Sequence, residues 1–310
     1  VVPAEGAIPT PHDVSVPDGA MHVSRLGQTG TVTSPPVIDV GPLLPAEGDP
    51  DPATVAAIDA ACTDIGFFVA TGHGLDRSLD DVFAAVHDLF ALPQETKEAL
   101  AMVDRRGFVP ARHLVVDASL HSAPMEYYDV GLTGDNPWPP ADRVPGFADV
   151  IDGYQSSVLT VTRALLAAIA GALDLRTDFF DQRMTDPECF LRMMHYEPHP
   201  PDASGQPPVL TDPHTDYGLI TLLATDGVGG LEVRRRDGAW IAVAAPPGSL
   251  VVNLGDMLAR WTNDRYVSTP HRVHAPAGSD RYSAPFFANP DPSTEVACLP
   301  SCVGAERPRR

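Results

Sequence analysis

Three side chains in this sequence have the types and spacing of a metal site. His214 and Asp216 are separated by one residue, and His271 follows much later in the chain. Because side chains two residues apart in a β-strand point to the same face, we predict that His214 and Asp216 reach one ion from a single strand, with His271 returning on another. Two imidazoles and one carboxylate on one face of an octahedron leave three positions open, which suits a ferrous ion that binds an organic chelate and O2. Zinc takes such ligands tetrahedrally, so the ligand set alone leaves the metal open.

A second pair of residues indicates an anchor for an acidic co-substrate. Arg281 and Ser283 are also two residues apart, shortly after His271, and are predicted to share one strand face. A guanidinium beside a hydroxyl suits a carboxylate held by two hydrogen bonds in a partly dry pocket. A lone His-x-Asp pair is common by chance, and this neighbouring anchor is what favours a metal site.

The order His-x-Asp, then His-Arg-Val from His271, then Arg-x-Ser from Arg281 resembles the isopenicillin N synthase-like family of Fe(II)- and 2-oxoglutarate-dependent oxygenases. The resemblance extends from about residue 35 to the end of the chain, because further sequence blocks follow in the family's order. They are residues 36–40, 61–75 with the Gly-Phe-Phe and His-Gly signatures, 90–97, 105–108, 125–131, 230–233 and 247–256.

The resemblance implies an enzyme that hydroxylates, desaturates or cyclises a small molecule. The Ala- and Pro-rich composition points to a role in specialised metabolism. It implies Fe(II), 2-oxoglutarate and O2 as reactants, with ascorbate as a candidate reductant. In the family a tyrosine beside the Arg-x-Ser pair also binds the co-substrate carboxylate, and Tyr196 is the matching residue. Many members carry Asn where this chain has Met194. Because Asp216 is retained, no ligand position is vacant for chloride, which argues against halogenation.

Two residues are predicted to border the substrate. Arg192 shares the strand face of Tyr196 and either holds an acidic substrate group or forms a structural salt bridge. Phe287 shares the parity of Arg281 and either contacts the substrate or packs in the core. Residues 112–124 form one of the variable segments expected to select the substrate.

Two other functions stay open at this point. In the isopenicillin N synthase branch and in aminocyclopropane carboxylate oxidase-like enzymes, an Arg-x-Ser pair binds substrate or an activator, and no 2-oxoglutarate is consumed. A barrel that only senses a metal or a small acid belongs to another class. Succinate formation, O2 uptake without succinate, and neither activity would distinguish the three.

Composition limits the partners. The formal net charge of −20 argues against nucleic acid or an anionic membrane, since phosphate contacts need clustered Lys and Arg. No apolar run reaches the length of a membrane span and no secretory leader is recognisable, so a cytoplasmic protein is expected. The four cysteines show no disulfide framework and are expected to be reduced. A small-molecule substrate and a monomer or weak dimer are the expected associations.

The predicted fold is mainly β with flanking helices, around a double-stranded β-helix or jelly-roll core. Residues 1–35 are rich in Pro, Gly, Ser and Thr and are predicted to be a flexible arm. Residues 36–180 are predicted to be mostly helical, with helices over 51–68, 79–92 and 150–173. Residues 181–310 are predicted to form the jelly roll, with Asp256 capping a helix over 257–261. Its predicted strands cover 190–196, 219–224, 231–235, 240–243, 249–254, 272–275 and 282–287.

Overall fold

The computed structural model describes residues 34–44, 49–111, 125–201, 205, 207–275, 278–304 and 308. Two predictions fall outside these ranges. The N-terminal arm lies almost wholly in residues 1–33, and the variable segment is residues 112–124.

Strands in the described residues form two sheets. The major sheet has eight strands in the order β1-β2-β10-β7-β12-β5-β4-β3, and the minor sheet has four in the order β6-β11-β8-β9. Only β1 and β2 pair in parallel among these strands. Their bounds are β1 Val37–Asp39, β2 Phe67–Thr71, β3 Gly107–Val109, β4 Met125–Gly131, β5 Phe190–Tyr196, β6 Val209–His214, β7 Ile220–Thr225, β8 Leu231–Arg234, β9 Trp240–Ala242, β10 Leu250–Leu254, β11 His271–His274 and β12 Arg281–Ala288.

The predicted mainly β class with flanking helices is confirmed. All seven strands predicted between residues 190 and 287 are present, with ends shifted by at most one residue. The prediction missed strand β6, whose sequence includes Pro213 just before its last residue. Proline removes a backbone donor and weakens the sequence signal of a strand. Strand β10 is fully buried and lies between β2 and β7, as its apolar sequence requires.

The helices flank the sheets. Their bounds are α1 Pro52–Asp64, α2 Asp76–Phe90, α3 Gln94–Glu98, α4 Phe147–Ala172 and α5 Asp256–Trp261, with short 3-10 helices at Gly41–Leu43, Asp181–Arg183 and Pro300–Cys302. Among the described helices, α4 alone has the length and apolarity of a membrane span. Its Ile151, Tyr154 and Val158 are buried in the hydrophobic core, which is the position of a core helix.

The first predicted helix is correct at its start and wrong at its end. The Asp51 side chain accepts a 2.8 Å hydrogen bond from the Thr54 N–H, and Pro52 occupies the first turn. The helix ends at Asp64 because Gly66 has φ +67°, and the chain then enters strand β2. The bulky residues Phe67 and Phe68 therefore belong to the sheet, although they continue the apolar period of the helix.

The predicted boundary at residue 180 stays a prediction. Strands β1 to β4 come from the region predicted to be mostly helical, yet they pair within the major sheet beside strands of the later region. Strand β4 pairs with β5 over its full length, which joins the two regions in one sheet.

Candidate active site

The three predicted metal ligands lie together. His214 ends strand β6 and His271 begins strand β11, and these residues are opposite each other in the minor sheet. One donor atom from each of His214, Asp216 and His271 lies within 4.8 Å of the others. Asp216 Oδ1 is 3.7 Å from Nε2 of both histidines. Donors at right angles on a shared ion, each about 2.1 Å away, would be about 3 Å apart, so small side-chain adjustments suffice.

Both imidazoles are oriented by backbone carbonyls. His214 Nδ1 lies 2.8 Å from the Asp212 oxygen, and His271 Nδ1 lies 3.2 Å from the Thr269 oxygen. A proton on Nδ1 that is donated to a carbonyl leaves Nε2 as the free lone pair, the arrangement found in metal-binding histidines. Burial lowers the pKa of His271, so its imidazole is held in the neutral form that a metal ion needs.

Asp216 reaches the site in a way that differs from the prediction. Strand β6 ends at His214, so Asp216 lies beyond the strand, and the prediction that a single strand carries both ligands is wrong although their side chains do converge. Its position is set by two donors from the major sheet. The Thr221 hydroxyl and the Asn253 amide donate to Asp216 Oδ2 at 2.6 and 2.8 Å. Oδ1 is thereby left to face the histidines.

Thr221 and Asn253 were missed by sequence reasoning. Asn253 did carry a signal, because it is a single amide within the buried strand Leu250–Leu254. Buried polar groups are almost always hydrogen-bonded, so such a residue indicates a polar partner nearby. Thr221 gave no comparable signal, since threonine is common in strands.

The predicted co-substrate anchor is buried in the same cavity. Arg281 is 1% exposed, and its Nη1 donates to Ser283 Oγ at 3.2 Å. Its Nε is buried without a hydrogen-bond partner, and among the described residues no carboxylate forms an ion pair with it. A buried charge is costly unless it is paired. The arrangement therefore fits a ligand carboxylate, which would accept from both Arg281 and Ser283.

Tyr196 lies opposite Arg281 in the major sheet, and the Arg281 guanidinium is 4.8 Å from the centre of its ring. The Tyr196 hydroxyl donates to Met194 Sδ at 3.3 Å. Because thioether sulfur is a weak acceptor, a carboxylate would compete effectively for this hydroxyl. The role of Tyr196 in binding the co-substrate stays a prediction.

Both sheets line the cavity, which has a volume of about 150 Å³. We call it the inner cavity. Its walls combine the metal-ligand cluster, the arginine anchor and apolar side chains. The lining residues are Phe67, Met125, Arg192, Met194, Tyr196, Thr211, His214, Asp216, Thr221, Leu223, Leu231, Asn253, His271, Val273, Arg281, Ser283, Pro285 and Phe287.

Arg192 and Phe287, the predicted substrate residues, both line the inner cavity. Arg192 donates to both oxygens of Asp129 at 2.8 and 2.7 Å, so it is also a salt-bridge partner. Asp129 is almost fully buried, and burial raises its pKa against the lowering effect of the guanidinium. Phe287 stacks on Phe190 with 4.7 Å between ring centroids. Their contact with a substrate stays a prediction.

Other titratable residues have structural partners. Arg272 pairs with Glu232 at 2.7 Å, as expected for a residue that points away from the site.

The prediction that Asp256 caps helix α5 is wrong. Gly255 holds the cap position, and Asp256 is the first helical residue, where it accepts from the Thr215 hydroxyl at 3.1 Å. All four cysteines are free, as predicted, and all four are buried.

Comparison with known proteins identifies the family. Residues 187–290 match the model of the 2OG-Fe(II) oxygenase superfamily, and residues 35–140 match that of the non-haem dioxygenase N-terminal region named for morphine synthesis. A 2-oxoglutarate-Fe(II) type oxidoreductase of Emericella nidulans is 34% identical over 89% of this chain and 86% of its own. The chain belongs to the 2-oxoglutarate- and Fe(II)-dependent oxygenase superfamily.

Two solved structures share the fold. A full-length Neurospora crassa protein in complex with alpha-KG and thymine has a TM-score of 0.77 at 28% identity, over 91% of this chain and 94% of that one. A 2OG-Fe(II) oxygenase family protein of Caulobacter crescentus has a TM-score of 0.80 at 33% identity, over 90% and 94%. The jelly-roll core is thereby confirmed. The protein is a 2-oxoglutarate-dependent dioxygenase that uses Fe(II) and O2 and acts on a small molecule.

Proposed function

We propose that this protein hydroxylates a small organic molecule of specialised metabolism, with His214, Asp216 and His271 holding the iron. In this proposal Arg281 and Ser283 bind the distal carboxylate of 2-oxoglutarate. The observation that supports it best is the pairing, in one inner cavity, of the three-donor cluster with a buried arginine that lacks a carboxylate partner among the described residues.

Different residues orient the metal ligands and the co-substrate. Bound Fe(II), 2-oxoglutarate and O2 together supply an oxidant that can attack an unactivated C–H bond, while 2-oxoglutarate is converted to succinate and CO2. The chain fixes the orientation of the reactants and excludes water. Thr221 and Asn253 hold the Asp216 carboxylate, and Arg281 and Ser283 fix the far end of the co-substrate.

The first test measures O2 uptake and succinate formation by the purified protein with Fe(II) and 2-oxoglutarate. We expect iron-dependent succinate formation, slow without substrate and faster once a substrate is found by screening. Omission of iron is the matched control. O2 uptake without succinate would assign the protein to the oxidase branch, and the absence of both would leave a sensor.

A second prediction concerns Phe287. Phe287→Ala would leave an apolar gap in the inner cavity and loosen the placement of the substrate. A displacement of about 1 Å can reduce the rate on the order of 100-fold, so product formation should fall much more than succinate formation. The measurement is the ratio of product to succinate, with Phe287→Leu as the control that keeps an apolar side chain. A wild-type ratio in Phe287→Ala would place this residue outside the substrate site.

Truncation of Arg192 does not by itself test whether this residue binds the substrate. Arg192→Ala would leave the buried Asp129 carboxylate without its partner, and broken buried ion pairs are strongly destabilising. A loss of activity in Arg192→Ala would therefore not distinguish reduced folding stability from reduced substrate binding. Nη1 of Arg192 has no partner among the described residues, and this group is the part of the side chain that a substrate acceptor would contact.

A further inference from the structure

The inner cavity is small for the molecules it must hold. Its volume of about 150 Å³ lies below the roughly 300 to 1,000 Å³ of typical small-molecule sites, and 2-oxoglutarate must occupy part of it. A second cavity of about 540 Å³, which we call the outer cavity, lies beside it. Arg192 is in the wall of both cavities. The two cavities therefore adjoin at Arg192, and the outer cavity has the volume that the inner cavity lacks.

Strand register locates the outer cavity relative to the inner one. Gly131 of β4 is opposite Phe190 of β5, and Phe190 is opposite Phe287 of β12. This row crosses three neighbouring strands of the major sheet, so Gly131 lies about 10 Å from Phe287, two strand spacings away. Phe190 and Phe287 stack on each other at the inner end of this row, and the Arg192 guanidinium lies over both rings, 5.7 and 5.9 Å from their centroids.

Arg106 lies at the outer end of this row. A Cβ added to Gly131 would be 2.5 Å from Arg106 Nε, and one added to Gly134 would be 2.5 Å from its Nη1. The guanidinium therefore rests directly on these two glycines, in space that any larger residue would fill. It lines the outer cavity and is only partly exposed.

A tight turn holds Arg106 in place. Val103 and Arg106 exchange two backbone hydrogen bonds of 2.8 and 3.0 Å. The two residues between them, Asp104 and Arg105, have φ of 49° and 64°, which is uncommon for residues other than glycine. Such a turn matches the twist of the flanking strands, but it costs conformational energy in non-glycine residues. The local strain is compatible with a functional position.

Arg106 shares one property with Arg281. Among the described arginines that are not exposed, these two are the ones with neither a carboxylate partner nor a backbone carbonyl acceptor. For Arg281 this property fits the carboxylate of the co-substrate. Arg106 is only partly buried and therefore in reach of water, but its unpaired donors line the outer cavity, where a carboxylate of the substrate would accept from them.

The acidic residues of the outer cavity do not neutralise Arg106. Asp129 is bound by Arg192, and Glu188 pairs with Arg105 at 2.8 Å. Asp104 and Asp186 are exposed to water, where their charges are screened.

We propose that the outer cavity binds a carboxylate of the substrate on Arg106, so that the substrate is an organic acid. Its apolar segment runs along Phe190 and Phe287, past the Arg192 guanidinium, and carries the reacting carbon into the inner cavity. This inference rests on the proposed function of the inner cavity, and its test separates the two.

The test uses two acids of suitable length, 6-phenylhexanoate and indole-3-butyrate, each with its primary amide. Binding is measured by calorimetry on the Zn(II)-substituted protein with 2-oxoglutarate, so that no turnover occurs. We expect each acid to bind about 10- to 100-fold more tightly than its amide, as for hydrogen bonds to charged groups. Arg106→Met should abolish this preference and leave the affinity for the amides unchanged.

Arg105→Met is the matched control, because Arg105 lines the same cavity but is highly exposed and paired with Glu188. It should keep the preference for acids. Arg106→Lys, which keeps the charge, should keep part of it and covers the case in which Arg106→Met does not fold. Equal binding of acid and amide to the wild type, no binding of either acid, or an equal loss in Arg105→Met would overturn the proposal. Failure of 2-oxoglutarate to bind the wild type would instead refute the proposed function.

Discussion

Arg281→Ala is expected to raise the KM for 2-oxoglutarate by at least about 30-fold, because it removes the charged partner of a carboxylate in a water-poor cavity. Truncating one member of a buried, hydrogen-bonded charge pair costs about 2 to 5 kcal/mol, and each 1.4 kcal/mol is tenfold. Arg281 is 1% exposed and its Nε has no protein partner, so no described group would replace it. Iron binding should change little, because the three metal ligands come from other segments of the chain than strand β12.

The measurement is the rate of succinate formation against 2-oxoglutarate concentration, together with the Fe(II) dissociation constant. Arg272→Ala is the matched control, since Arg272 is an arginine on the adjacent minor sheet whose partner Glu232 lies away from the cavity. It should leave the KM near the wild-type value. An unchanged KM in Arg281→Ala, with intact folding, would favour the branch of the family that consumes no 2-oxoglutarate.

The ligand set and the anchor were predictable because their chemistry is local in sequence. Arg281 and Ser283 are two residues apart on a real strand, so alternation placed both in the inner cavity. The same rule correctly put Arg192 and Tyr196 on one face of β5. It failed for Asp216, where the chain leaves the strand after His214 and other strands take over the positioning.

Interactions between distant segments could not be predicted. The salt bridge between Arg192 and Asp129 depends on the register of β4 against β5, which no periodicity reveals. Among the described residues, Arg106 has no carboxylate partner. This property, too, can be read only from the folded chain. The sequence shows that these residues are charged. Which of them remains available to bind a ligand depends on the ion pairs that form in the folded chain.

The boundaries of the fold show a related limit. Apolar spacing continued the first helix through Phe68, but a left-handed Gly66 ends it and turns Phe67 into a strand residue. A glycine within an apolar run is compatible with either outcome. The strand forms because residues 67–70 pair with strand β10 in the major sheet.

Asp216→Ala is expected to abolish succinate formation and to weaken Fe(II) binding by more than about 100-fold. Loss of a residue that only supports a ligand weakens metal binding about 10- to 100-fold, and Asp216 supplies the donor atom itself and its negative charge. Thr221→Val keeps that carboxylate but removes the 2.6 Å hydrogen bond to Oδ2, so its effect should fall within the roughly 10- to 100-fold range.

Equilibrium dialysis with Fe(II) under anaerobic conditions would give the affinities, and succinate formation would give the activities. Asp212→Ala is the matched control, because it removes an exposed carboxylate from the same segment while the Asp212 backbone carbonyl still orients His214. The control should bind Fe(II) like the wild type, because it changes the net charge of the protein but leaves the three metal ligands in place. The order expected is wild type and Asp212→Ala together, then Thr221→Val, then Asp216→Ala. If Asp216→Ala retained wild-type affinity, Asp216 could not be a ligand and the two histidines would need another partner. If Thr221→Val matched the wild type instead, Asn253 alone would suffice to hold the carboxylate toward the metal.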